Sequence, residues 1–258
     1  MSLGHRSISK INITPNTGWA KEFWDNLIPF KDQVVNHVYF QEMEKTALSV
    51  DRAKRGFVDF YPLIENFPKY MALNLPKTHT GKKQGHLEAR FWIMQNMKVE
   101  QKHADWWVDW AASMDVSREE LDYADPSPLM DAINNYLWYV NTYGSLAEGI
   151  AATNLAIEWA TGEWVIRTLP GVKAYAEKGF ANMNSRALSW MNAHATYDDK
   201  HPYEAMEVIK LCAENEEDQK NAFRAAQRAL EYYVIALNDC YEPLPSQSRE
   251  TVYSNSQS

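Results

Sequence analysis

Cysteine is scarce in this chain: only Cys212 and Cys240 occur among 258 residues, with no CxxC spacing. That excludes a disulfide scaffold and a thiolate metal site, and it fits a reducing cytoplasm. Basic blocks are absent as well, and the formal charge is −8. Nucleic-acid binding needs concentrated Lys and Arg, so it is excluded as the main activity. No apolar run approaches the roughly 20 residues of a membrane span, and the N-terminus lacks a signal-peptide core. Strand-like alternation of useful length and internal repeats are missing too, which leaves helices.

What is present is material for a large core. Hydrophobic residues make up 45% of the chain and aromatic residues 13%, with ten Trp and fourteen Tyr. One helical domain over 16–241 is expected, with flexible termini at 1–15 and 242–258. Apolar residues recur at helical spacing from Trp19, with a break expected near Pro29. Pro62 and Pro68 should kink or split a third helical segment over 51–71. A long helix is expected over 86–113, others over 129–143 and 180–197, and a last amphipathic one over 216–240. His37 lies alone on an early helix; a heme ligand is conceivable there, and a structural His is the ordinary reading.

The chemistry-bearing pattern centres on His194, Asp198 and His201, spaced i, i+4 and i+7 so that one helical face carries imidazole, carboxylate and imidazole. Pro202 should end or bend the helix, which leaves His201 as an additional ligand or a group behind the ligands. Glu100 and His103 form an ExxH pair, the unit that carboxylate-bridged di-iron bundles draw from their helices. Glu65 sits among Tyr61, Ile64, Phe67 and Met71, and a carboxylate there is costly unless paired or metal-bound. Glu158 ends a small and apolar stretch with Asn154 one turn before it. Ala147, Gly149, Ala151 and Ala152 permit either close helix packing or room for a ligand. Four carboxylates and two or three imidazoles supply about the charge that two divalent irons require; the alternative is that each is separately exposed or ion-paired. A ferritin-like site repeats ExxH on two helices, and this chain has one.

Four blocks in order resemble a known family: Glu65 in YPLIENF, Glu100 and His103 in EQKHADWW, Glu158 in AATNLAIEWATGEW, and His194 to His201 in HATYDDKHPYEA. Together they are similar to the heme-oxygenase-like di-iron oxidases, most of all the UndA type of fatty-acid decarboxylases, with TenA and PqqC proteins as broader relatives sharing the fold. The resemblance covers most of 20–240. It implies an all-α, heme-oxygenase-like (TenA/PqqC-like) helical bundle that binds two Fe(II) per chain, one site weaker, through Glu65, Glu100, His103, Glu158, His194 and Asp198, with His201 as a further candidate. It also implies dioxygen as co-substrate, an external electron donor, and a medium-chain fatty acid that loses CO2 to leave a terminal alkene. Such a protein is cytoplasmic and can form a homo-oligomer. Helical offsets place Phe60, Trp107, Tyr143, Leu146, Ile150 and Asn154 along the substrate channel. Trp159 stands where a small residue is expected in alkene-forming relatives, so a shorter or reshaped pocket is anticipated. Alternatives are a related N-oxygenase or C–C-cleaving oxidase acting on an amino-acid-like substrate, and a non-catalytic TenA-like binding protein. A thiamin-salvage hydrolase would need a cavity-facing Cys, and a metal-free PqqC-type oxidase offers no reason for six ligand-type residues.

Overall fold

The computed structural model describes residues 11–79, 85–180, 182–196 and 200–242. It is helical throughout, with no strand among the described residues. The helices are α1 (Trp19–Val35), α2 (Val38–Glu44), α3 (Val50–Ala72), α4 (His86–Ser113), α5 (Arg118–Asp122), α6 (Pro128–Tyr143), α7 (Leu146–Ile150), α8 (Glu158–Ala174), α9 (Ser189–Thr196), α10 (His201–Cys212) and α11 (Glu216–Tyr241). A π-helical stretch, Ala151–Ile157, joins α7 to α8.

Polar residues set the helix starts. The Ser49 hydroxyl accepts from Arg52 N–H, and Ser127 accepts from Met130 N–H with Pro128 in the first turn. Ser117 with Glu120 and Ser145 with Glu148 form reciprocal capping boxes. Asn215 caps α11, whose first turn carries Glu216, Glu217 and Asp218 toward the positive end of the helix.

The prolines do not interrupt the helices they lie in. Helix α1 runs through Pro29, and α3 runs through both Pro62 and Pro68. Each proline forfeits one backbone bond, but the helices bury Leu27 and Val34 in α1 and Leu63, Phe67, Tyr70 and Met71 in α3 across those sites. Burial at about 1.5–3 kcal/mol per large apolar side chain outweighs the loss.

Helix α3 packs along α4, α11 lies against α6, α7 and the π stretch, and α8 contacts α2 and α9. Gly171 makes the α2–α8 approach possible, because a Cβ there would collide with the carbonyl oxygens of Met43 and Glu44. Gly149 does the same for Asn74 and Asn141. The small residues around 147–152 therefore serve close packing. None of the described residues forms a helix long and apolar enough to cross a membrane.

Candidate metal centre

Three of these elements deliver ligand-type atoms to one place. Glu100 from α4, Glu158 from the first position of α8 and His201 from the first position of α10 each offer an atom within 4.8 Å of the others. Both carboxylates are buried, and His201 is partly so. His103, one turn after Glu100, brings Nδ1 to 2.8 Å from Glu100 Oε2. The His194 ring centroid lies 4.5 Å from that of His103. His194 Nδ1 is 2.8 Å from the Trp190 carbonyl, so the ring donates there and Nε2 is its basic nitrogen. Glu158 is oriented at both oxygens: Asn154 Nδ2 donates to Oε1 at 2.7 Å, and His201 Nδ1 lies 3.1 Å from Oε2.

The donor set fits a divalent metal. Two adjacent buried carboxylates are costly unless paired or metal-bound, and the described residues lining the adjoining cavity include no Lys or Arg. Carboxylate oxygens with imidazole nitrogens suit Fe(II). The π-helical turn reaches its end at Glu158, and such turns concentrate at functional sites because they reset which side chains face inward.

Beyond this cluster runs a cavity. Along α4 its wall is Glu100, His103, Trp107, Trp110 and Met114, and along α3 it is Phe67, Leu63, Phe60, Phe57 and Ala53. Each strip covers about four helical turns, roughly 21 Å at 1.5 Å per residue. Aromatic rings dominate. Trp190 stacks on Trp110 and Trp164, and the Trp107 and Trp164 indoles donate to the Phe57 carbonyl and the Tyr233 hydroxyl.

Several expectations change against this geometry. Glu65 does not turn toward apolar neighbours: both of its oxygens lie 2.7 Å from Lys69 Nζ, and its side chain is 41% exposed. The i, i+4 placement of Lys69 draws it outward. Asp198 lies outside the described residues. Of the expected channel residues, Phe60 and Trp107 line the cavity. Tyr143 is 75% exposed on another face, Leu146 and Ile150 are buried away from the lining, and Asn154 serves Glu158. Trp159 does not narrow the cavity; it turns outward and stacks on Trp24 at 4.0 Å between ring centroids. His37 caps α2, accepting from Tyr39 N–H at 3.2 Å while Nε2 meets Asn238, which accounts for both ring nitrogens without heme. Trp110, Trp164, Trp190 and Tyr233 line the cavity without having been singled out by helical offset.

The fold and the site together define the class, a heme-oxygenase-like helical bundle with a carboxylate and imidazole centre. Residues 55–234 match the family model described as iron-containing redox enzymes, and the chain belongs to that family. Among its relatives, the 4-aminobenzoate synthase of Chlamydia trachomatis is 25% identical over 198 residues, covering 75% of this chain and 81% of the relative. That of Chlamydia muridarum is 25% identical over 190 residues, covering 72% and 76%. A crystal structure of a TenA homolog from Pseudomonas syringae superposes with a TM-score of 0.81 at 34% identity, covering 89% of this chain and 99% of that one. A domain with a heme oxygenase-like fold from Shewanella denitrificans, 14% identical over 88% of this chain and 93% of its own, has a TM-score of 0.70 and shares the fold.

Proposed function

We propose that this protein is an oxygen-activating iron oxidase that decarboxylates a medium-chain fatty acid to a terminal alkene. The observation that carries this reading is an aromatic and aliphatic cavity whose polar end is Glu100, His103, Glu158 and His194, beside His201, with no Lys or Arg among the described residues of its lining. A substrate carboxylate in such a cavity has a metal as its natural counter-charge. The roughly 21 Å of lining is long enough for an acyl chain, since one bilayer leaflet, about 15 Å or half of a hydrocarbon core, is about one chain long.

In this reading Glu100, His103, Glu158, His194 and His201 hold the iron, with Asp198 as a further ligand; Glu65 joins only by leaving Lys69. Bound Fe(II) supplies the electron chemistry that couples dioxygen to substrate oxidation. The chain's own residues do the rest. Asn154 fixes the orientation of Glu158, and the Trp190 carbonyl fixes the tautomer of His194. The aromatic walls exclude water and align the chain so that the carbons next to the carboxylate face the centre. Forming the alkene and CO2 removes two electrons and two protons from the acid. Reducing dioxygen to water takes four of each, so an external donor supplies the other two.

The relatives favour a second reading, an oxidase acting on an amino-acid-like or aromatic substrate, since two of them are named 4-aminobenzoate synthases. Turnover of the Fe(II)-loaded protein with dioxygen, a reductant, and a panel of decanoic, dodecanoic and tetradecanoic acids and amino acids separates the two. Release of the alkene one carbon shorter is expected. Full iron loading with no alkene from any acid overturns the decarboxylase reading.

A further inference from the structure

Trp159 has no part in the cavity, yet it directly follows the ligand-type Glu158. It begins a stack of three rings: Trp159 on Trp24 at 4.0 Å and 29° between planes, then Trp24 on Tyr203 at 4.9 Å and 20°. Both ends of the stack adjoin the centre along the chain, Trp159 next to Glu158 at the start of α8 and Tyr203 two residues after His201 on α10. Exposure rises along it, from 8% at Trp159 through a partly buried Trp24 to 45% at Tyr203. Of the other indoles near the centre, Trp106 is partly buried beside the His103 ring, and the rest lead inward. Trp190 lies 3.9 Å from the His194 ring, but Trp190, Trp107, Trp110 and Trp164 are all at most 6% exposed.

Trp and Tyr are the most readily oxidised of the ring side chains, and rings in van der Waals contact exchange electrons readily. A phenol can give up an electron at modest cost only when its proton has somewhere to go, which exposure to water provides. Lys31 Nζ stands 5.2 Å from the Trp159 ring and by itself would oppose positive charge there. Its ion pairs with Asp32 and Glu163 offset that charge.

We infer that Trp159, Trp24 and Tyr203 form an escape route for oxidising equivalents from the iron centre to solvent, used when dioxygen reacts without substrate in the cavity. This rests on the iron-oxidase reading. One electron passes from Tyr203 through Trp24 and Trp159 to the oxidised centre, reducing it by one equivalent. The Tyr203 proton goes to water, and the resulting neutral tyrosyl radical takes an electron and a proton from a small one-electron reductant such as ascorbate. The route spares the cavity walls, where a trapped oxidising equivalent would modify Trp190 or Trp107.

The test uses the full-length, Fe(II)-loaded protein exposed to dioxygen without substrate, followed by freeze-quench electron paramagnetic resonance, mass spectrometry of oxidised peptides, and oxygen uptake. A tyrosyl radical is expected in the wild type, absent in Tyr203→Phe and largely lost in Trp24→Phe. Oxidation should then shift to Trp159 and the cavity indoles, with iron content unchanged. Trp24→Tyr, which restores an oxidisable ring, should recover the signal. An unaltered radical in Tyr203→Phe and Trp24→Phe overturns the route, as does oxidation confined to Trp106, whose ring lies 5.5 Å from that of His103. Oxygen uptake with no radical at Tyr203 overturns the route and leaves the oxidase standing; no uptake by the loaded wild type overturns both.

Discussion

Glu100 and His103 share one face of α4, whereas Glu158 and His201 meet from the first positions of two different helices. Glu100 and His103 could be read because i, i+3 spacing on one helix fixes their relation whatever the tertiary fold does. His201 was read as a further candidate, but not its partner: its place beside Glu158 depends on how a new helix starting at the residue before Pro202 packs. The outward turn of Glu65 depends on Lys69, a partner that apolar neighbours in the sequence do not announce. A different, half-buried acid carries a pH signature. Burial pushes the Asp59 carboxyl up from 3.8 to about 6, with Arg55 opposing and Asp239 adding to the rise. The folded chain therefore holds this proton more tightly than the unfolded chain. Stability from this group is full below about pH 4, falls as pH rises toward 6, and is level above that. Asp59→Asn should stabilise the fold at pH 8 by on the order of 1–2 kcal/mol and flatten the slope between pH 4 and 6. Urea unfolding across that range checks it, and an unchanged slope contradicts it.

At the level of elements, caps were more legible than breaks. Ser117, Ser127, Ser145 and Asn215 start helices through side-chain bonds that need only local sequence. The prolines misled because their local cost is met by packing on other helices, which local sequence does not contain. The π-helical turn was hidden for a related reason. It brings residues i and i+5 together, so channel positions counted on an α-helix fall on the wrong side, as Leu146 and Ile150 did. The α2–α8 contact carries its own prediction. Gly171→Ala places a methyl group against the Met43 and Glu44 carbonyls, and backbone cannot yield as a side-chain tip can. A loss of about 1–3 kcal/mol is expected, read as a lower urea midpoint with the m-value unchanged. Wild-type stability in this variant would mean the two helices do not approach as closely as described.

The whole molecule gathers these elements around one apolar cavity and one polar end. The all-α fold was legible because period, caps and the lack of strand signals agree. That ligand-type residues from three of the four blocks meet was not, since no spacing records convergence; only the resemblance suggested it. The meeting of Glu100, Glu158 and His201, with His103 and His194 alongside, is the claim on which the rest depends. Anaerobic Fe(II) titration with metal analysis of the wild type and of Glu158→Ala tests it most directly. About two irons per chain are expected in the wild type, as a carboxylate-bridged centre holds, with the loss of at least one in Glu158→Ala and the helical fold retained. Equal iron content in the two proteins would contradict it.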